Sequence, residues 1–146
     1  MKKILLVTTL LMSTLAVSAQ NTEALLRSYF NLKDAMVNSD GRSATTAVNR
    51  LYEAIKNDAP FPQKDALLKA TETVKNASSL DKKRAVFNEL STTLWAVVKT
   101  TNKLKQPVYY QYCPMKKAYW LSTEKAIRNP YYGASMLDCG KVVETK

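Results

Sequence analysis

Apolar side chains recur every three or four residues over most of the chain up to residue 105, which is the spacing of one helix face. Asp81 is the expected N-terminal cap of the last helix, and Gly41 is expected to end the first. Helices of about four turns joined by short loops predict a mainly α protein, an up-down four-helix bundle. The predicted helices cover residues 22–39, 43–58, 63–78 and 81–104.

The pattern changes after residue 106. Residues 108–113 alternate and are rich in β-forming side chains, residues 118–122 form a second short run of this kind, and residues 139–145 form a third. An Asn-Pro-Tyr-Tyr-Gly segment between them has turn chemistry. We therefore expect a small, irregular, β-containing C-terminal cap over residues 107–146. It should dock on a helical bundle of residues 20–105, so that residues 20–146 form a single domain.

The N-terminal segment has the features of a secretory signal peptide. Lys2 and Lys3 precede an apolar run that ends in small residues at Val17 to Ala19. The run is too short to span a bilayer. Cleavage after Ala19 removes residues 1–19 from the 146 and leaves 127. We expect an exported protein, periplasmic or secreted, with no membrane span.

The charge balance is basic. The formal net charge is +10, and loss of the two lysines in the signal peptide lowers it to +8. In the cytoplasm such a positive net charge would suggest a nucleic-acid partner. An exported chain does not meet nucleic acid, so no such partner is expected. The lysines are scattered along the chain, which is typical of a solvated basic surface.

Histidine is absent from the sequence, and only three glycines are present. A Ser-His-Asp triad, a Cys-His pair and every zinc site with a histidine ligand are therefore impossible. The sequence also has no glycine-rich phosphate loop. No catalytic residues are identified, and the protein is not expected to be an enzyme.

Four sulfur-bearing side chains form two close pairs, Cys113 with Met115 and Met136 with Cys139. Thiolates and thioethers are soft ligands, which select Cu(I) or Ag(I). The first pair is expected on one side of an extended segment, and the second on one side of a helical turn. The two lysines that follow Met115 would favour deprotonation of a nearby thiol. The four side chains are therefore candidate metal ligands.

A disulfide between Cys113 and Cys139 is the alternative, because exported proteins usually oxidise their cysteines. The bridge would close a loop of about 26 residues and stabilise the fold by roughly 3.5 kcal/mol. The methionines would then pack against tyrosine rings. The bridge and the metal site can also be redox alternatives.

Aromatic side chains crowd the C-terminal segment, where six of the eight tyrosines lie. Exposed rings there could bind a sugar or a partner protein, whereas buried rings would form the core of the cap, which is the commoner arrangement. The candidate partner-binding residues are Tyr119, Trp120, Tyr131 and Tyr132.

Four short sequence motifs follow one another in a fixed order in the C-terminal segment. Cys-Pro-Met begins at Cys113, Ala-x-Trp-Leu-Ser at Ala118, Ile-x-Asn-Pro-Tyr-Tyr-Gly at Ile127 and Met-Leu-x-Cys-Gly at Met136. This pattern resembles the signature of an uncharacterised domain family. Its members are small secreted proteins of Gram-negative bacteria and domains fused to the periplasmic adaptor subunits of copper/silver-type efflux pumps.

The resemblance implies a domain that accompanies soft-metal export. This chain is too short to hold the domains of the adaptor itself, so we expect a stand-alone relative of the accessory domain, with an efflux adaptor or pump as its partner. Two functions follow from the sequence. The first is a periplasmic Cu(I) or Ag(I) binding or carrier protein. The second is a non-catalytic secreted interaction module stapled by a Cys113–Cys139 disulfide.

Overall fold

The computed structural model describes residues 15–102 and 104–146, with side chains from residue 22 onward. It contains four α-helices followed by a small three-stranded antiparallel sheet, which confirms the predicted helices and the C-terminal strands. Most of the expected signal peptide, residues 1–14, lies outside the described residues. The helices are α1 (Leu15–Val37), α2 (Gly41–Lys56), α3 (Lys64–Asn76) and α4 (Leu80–Thr100). The strands are β1 (Tyr109–Cys113), β2 (Ala118–Ser122) and β3 (Lys141–Thr145), and a short 3₁₀ helix covers Gly133–Met136.

The turn between α1 and α2 differs from the sequence prediction. Gly41 does not end α1 but is the first residue of α2. Ser39 takes the left-handed conformation instead, with φ of 56°. Asp40 then caps α2, because its Oδ1 accepts a hydrogen bond from the Ser43 backbone N–H at 3.0 Å. A serine therefore makes the bend that was assigned to glycine.

The prediction that Asp81 caps α4 was also wrong. Ser79 is the N-cap, and its hydroxyl oxygen accepts from the Lys82 backbone N–H at 3.2 Å. Asp81 lies in the first turn, where its negative charge complements the positive end of the helix dipole. The helix ends at Thr100, four residues before its predicted end.

The helices pack through the apolar faces that the sequence pattern predicted. Extensive contacts join α1 to α2, α2 to α3 and α3 to α4, and β2 packs mainly against α4. The contacts of α1 with α4 and with β2 are few. The up-down order of the helices stays a prediction. The buried face of α1 includes Leu25, Tyr29, Leu32 and Met36, and that of α4 includes Phe87, Leu90, Leu94 and Val97.

The sheet has the order β2-β1-β3, so β1 is central. Its register pairs Cys113 with Ala118 across the turn that joins β1 to β2. An irregularity between Tyr110 and Gln111 shifts the pairing of β1 with β3. Because β1 ends at Cys113, the sheet fixes the position of the first cysteine.

A buried tyrosine joins the helices to the sheet. The Tyr29 hydroxyl lies 2.7 Å from the Ser91 hydroxyl on α4 and accepts from the Leu121 backbone N–H of β2 at 3.1 Å. Burial raises the pKa of Tyr29 far above its usual value, so the group stays a neutral phenol. One side chain thus connects α1, α4 and β2.

An arginine on α4 makes a second connection. Arg84 donates from Nε to the Pro130 carbonyl at 2.9 Å and from Nη2 to the Met36 carbonyl at 2.7 Å and to the Ser39 hydroxyl at 3.0 Å. It therefore holds the end of α1 and the segment before the second cysteine against α4. Within the described part of the chain, no helix has the length and apolar character needed to cross a membrane.

Candidate functional site at the paired cysteines

The two cysteines meet at the end of the sheet. Cys113 is the last residue of β1, and its Sγ lies 3.1 Å from the Sγ of Cys139. Both cysteines are free thiols. Cys113 is 0% exposed, whereas Cys139 is only partly buried. The pair therefore has one inner and one outer sulfur.

Asn129 brings Cys139 to this position. Its backbone N–H donates to the Leu137 carbonyl at 2.8 Å, and its side-chain Nδ2 donates to the Cys139 carbonyl at 2.7 Å. Its Oδ1 accepts from the Tyr131 backbone N–H at 2.8 Å. These three bonds close the segment between residues 129 and 139 on itself. Asn129 is fully buried, as a residue that organises a loop from inside must be.

Gly140 allows the close approach. Its φ is 152°, a conformation that other residues rarely adopt. A Cβ at this position would lie 2.7 Å from the Trp120 ring and 3.0 Å from the Tyr112 carbonyl oxygen. Any larger residue would push the segment away from the sheet, and Cys139 would move away from Cys113.

The environment favours a thiolate at the inner sulfur. Burial acts to raise the pKa of Cys113, but hydrogen bonds from Cys139, the Lys116 backbone N–H, the Asn129 amide and the Met115 backbone N–H outweigh it, so the net pKa is lowered. The pKa of Cys139 is raised, first by its contact with Cys113 and then by burial. Cys113 therefore loses its proton more readily than Cys139. Lys116 contributes to this effect through its backbone N–H.

Met115 does not lie where the sequence predicted. The strand ends at Cys113, and residues 114–117 form a turn rather than an extended segment. Pro114 has no N–H for the strand ladder, and Lys117 adopts a positive φ of 54°. As a result the Met115 side chain is 68% exposed, while Cys113 is buried. The Met115 backbone N–H remains beside both sulfurs.

Met136 is the last residue of the 3₁₀ helix, three residues before Cys139. Its carbonyl accepts from the Cys139 backbone N–H at 3.2 Å, which is the helical turn that the spacing predicted. The structure thus brings the backbone of each methionine next to a cysteine. Among the described residues, no group of three or more histidine, cysteine, aspartate or glutamate side chains converges.

The distance between the sulfurs allows two kinds of chemistry. A disulfide requires about 2.05 Å between sulfur atoms. Two thiolates on one tetrahedral metal ion, each bonded at about 2.3 Å, lie about 3.8 Å apart. The observed 3.1 Å is between these values. A shift of about 1 Å or less in the side chains reaches either arrangement.

The four candidate aromatic residues separate into two groups. Trp120 and Tyr131 are 0% and 5% exposed, so they belong to the core, which is the arrangement that the sequence favoured. The Tyr131 hydroxyl donates to the Tyr119 carbonyl. Tyr119 and Tyr132 are partly exposed and remain the candidates for contact with a partner.

Tyr119 also belongs to a row of stacked rings. Its centroid lies 4.8 Å from that of Tyr110, and Tyr110 lies 4.8 Å from Trp95 on α4, with each pair of planes nearly parallel. Tyr112 continues the row at 4.6 Å from Tyr119. The row packs one face of the sheet against α4, so the partly exposed edge of Tyr119 is held in a fixed orientation.

Sequence reasoning missed Asn129 and Gly140 as parts of the site. Asn129 precedes a proline and was assigned to a turn, although a turn asparagine with a fixed backbone is well suited to bond other backbone groups. Gly140 directly follows Cys139, and glycine is the default residue where the backbone must approach another group closely. The proline after Asn129 and the cysteine before Gly140 are therefore the signals in the sequence that point to these two residues.

Four helices and a small sheet that holds a pair of thiols define a helical domain with a dithiol at one end. The chain belongs to the family described as protein of unknown function (DUF3347), whose model matches residues 25–106. The match covers the helical part and ends before β1, so the paired cysteines lie beyond it. No curated protein and no solved structure matches the chain.

Proposed function

We propose that this protein binds a soft monovalent cation, Cu(I) or Ag(I), through Cys113 and Cys139. The observation that supports the proposal most strongly is the separation of 3.1 Å between two free thiols, one of which is partly exposed. Two thiolates held together are the preferred donors of such ions. The thioethers of Met115 and Met136 complete the proposed ligand set.

The environment of the site supports this chemistry. A thiol must lose its proton to bind a metal, and the lowered pKa of Cys113 reduces the cost of that step. The exposed Met115 side chain is free to fold over an ion at the outer sulfur. Unbranched and flexible, methionine is suited to such a movement. The ion is therefore proposed to enter from the side of Cys139 and Met115.

The biological part of the proposal rests on the sequence. An exported protein with this site would be a periplasmic carrier, non-catalytic and accessory to heavy-metal efflux, with an efflux adaptor or pump as its partner. The four motifs between Cys113 and Gly140 resemble those of domains fused to such adaptors. An up-down order of the four helices is part of the same proposal.

A second candidate function has the same structural support. The cysteines also lie close enough to form a structural disulfide after a small shift. The protein would then be an interaction module, and Tyr119 and Tyr132 would be its contact residues. Reduction should then lower the melting temperature substantially, and silver should not bind the oxidised protein.

Competition titration of the reduced protein with Cu(I), against a chromophoric Cu(I) chelator, tests the first proposal. Cys113→Ser and Cys139→Ser should each weaken affinity by more than about a hundredfold, because loss of outer-shell partners alone commonly costs 10–100-fold. Met115→Leu and Met136→Leu should weaken it by a smaller factor.

Met36→Leu is the matched control, because Met36 is buried in the core on α1 and the substitution conserves volume. Its affinity should equal that of the wild type. If the double variant Cys113→Ser, Cys139→Ser binds Cu(I) as tightly as the wild type, the proposal is wrong.

A further inference from the structure

The two sulfurs of the pair differ in access. Cys113 is fully buried at the end of β1, whereas Cys139 is partly exposed. A reagent from solution therefore reaches the sulfur of Cys139 first. This asymmetry is built by the fold, because the sheet covers the inner sulfur and the closed segment between Asn129 and Cys139 presents the outer one.

The difference in access also decides which sulfur leaves. A disulfide between the two cysteines breaks between its own sulfur atoms, so attack on Cys139 makes Cys113 the leaving group.

We propose that Cys113 and Cys139 form a reversible disulfide that reacts with external thiols in one direction, with attack at Cys139 and departure of Cys113. This activity goes beyond metal binding, since it requires no metal ion. The substrate class is a dithiol/disulfide couple, small or on a protein. Its disulfide form oxidises the two thiols of the chain by the reverse exchange, and its dithiol form reduces the bridge.

The reaction balances in two steps. The thiolate of the reductant attacks Sγ of Cys139, a mixed disulfide forms, and the bond between the two cysteines breaks with its electron pair on Cys113. The second thiolate of the reductant then attacks its own sulfur in the mixed disulfide and releases the thiolate of Cys139. The reductant loses two electrons and two protons as it becomes a disulfide, and the chain gains them as two thiols.

Glutathione, a monothiol, tests the direction of attack because it has no second thiol to close its own disulfide. The mixed disulfide is trapped at early times, before the freed cysteine or a second glutathione reacts with it. The wild-type protein is first oxidised until its intact mass shows one internal disulfide. It is then treated with glutathione and quenched in acidified denaturant with N-ethylmaleimide. Trypsin separates the two cysteines, since cleavage after lysine and arginine gives peptides 106–116 and 129–141.

The glutathione adduct should lie on peptide 129–141 and the maleimide on peptide 106–116, with a preference of about tenfold or more because the buried sulfur of Cys113 is hard for the reagent to reach. Equal adducts on the two peptides, or a preference for peptide 106–116, would overturn the proposal. A chain that forms no internal disulfide under the oxidant would overturn it as well.

Asn129 is the positioning residue in this account. Asn129→Asp keeps the Oδ1 that accepts from the Tyr131 backbone N–H but loses the Nδ2 donor to the Cys139 carbonyl. The preference for the adduct on Cys139 should fall several-fold. Asn31→Asp, at an exposed position on α1, is the matched control and should keep the wild-type preference. An unchanged preference in a folded Asn129→Asp variant would contradict the role of Asn129.

The outcome is independent of the proposed metal function. The position of the glutathione adduct is measured on the oxidised protein without metal, whereas the Cu(I) titration is carried out on the reduced protein. A protein that binds Cu(I) but shows no preference for Cys139 would contradict only the directional exchange. A protein with the expected adduct position but no Cu(I) affinity would contradict only the metal site.

Discussion

At the scale of single residues, Tyr29 is the contact that joins the two parts of the molecule. Its hydroxyl bonds Ser91 on α4 and the Leu121 backbone on β2, and it is fully buried. Removing the oxygen leaves a buried N–H without its acceptor, and burying an unsatisfied polar group costs about 1–3 kcal/mol.

Tyr29→Phe should therefore lower the free energy of unfolding by about 1–3 kcal/mol, as measured by denaturant titration. Tyr52→Phe is the control, because it keeps the ring that faces Lys75 and should change stability little. A loss of equal size in both variants would contradict the account.

Asp40 gives a prediction about pH. Hydrogen bonds from the side chain and then the backbone of Ser43 lower the pKa of Asp40 below its ordinary value. A group whose pKa is lower in the folded state stabilises the protein above its unfolded-state pKa, and that stabilisation is lost as the pH falls through the folded-state value.

Asp40→Ala should lower the melting temperature at neutral pH, and the difference from wild type should shrink below about pH 4. Asp40→Asn keeps an acceptor oxygen at the cap and should show a smaller, pH-independent change. A deficit of Asp40→Ala that stays constant from pH 7 to the acid range would count against the cap.

The sequence identifies two residues of the candidate site, but it does not show how the side chains of the site are arranged. Cys113 and Cys139 were identified from their composition and spacing, and the structure brings their sulfurs together. The side-chain position of Met115 was predicted wrongly, because the register of β1 with β2 decides where the strand ends. Asn129 was missed because its role depends on backbone groups up to ten residues away.

At the scale of elements, Arg84 fastens the end of α1 and the segment after Pro130 to α4. Its side chain is 12% exposed, so its bonds are largely shielded from water. Gly133 allows this packing, because a Cβ there would lie 2.9 Å from the Arg84 guanidinium. The segment that carries Cys139 therefore depends on a residue of the helical part.

Arg84→Met should destabilise the protein by about 2–3 kcal/mol, because hydrogen bonds to charged groups are each worth about 1.5–3 kcal/mol. Backbone amides of residues 129–139 should exchange faster in hydrogen-exchange mass spectrometry, since the segment loses its anchor. Arg50→Met, at an exposed position on α2, should leave the exchange unchanged. Unchanged exchange in the Arg84 variant would contradict the anchor.

The sequence predicts that each helix and strand exists, but it does not predict where all of them begin and end. The apolar spacing that predicts α2 and α4 reports which face is buried, and that face is buried as predicted. The ends depend on which polar side chain reaches a free backbone N–H, and at α4 this is Ser79 rather than Asp81. Periodicity does not report which side chain makes that bond.

At the scale of the whole molecule, the helices and the sheet should unfold as one cooperative unit. Tyr29 and Arg84 join them, and the stacked rings of Trp95 and Tyr110 add a large apolar contact. The family match covers only the helical part. Unfolding of the helices together with the sheet is therefore an expectation for this chain rather than for its family.

The variant Trp95→Phe leaves Trp120 of the sheet as the only tryptophan, since the sequence has two. Its fluorescence should then follow the sheet, while far-ultraviolet circular dichroism follows the helices. The two melting curves should have the same midpoint. A sheet transition at a clearly lower temperature would show that the two parts unfold separately.

The central claim is that Cys113 and Cys139 together bind one soft metal ion. The most direct test is protection of the thiols in the reduced wild-type protein. It is alkylated with N-ethylmaleimide under native conditions for long enough to label both cysteines, with and without one equivalent of Ag(I), and its intact mass is measured. Without silver the protein should carry two labels, and with one equivalent of silver it should carry none. Two labels in both samples would contradict the metal site.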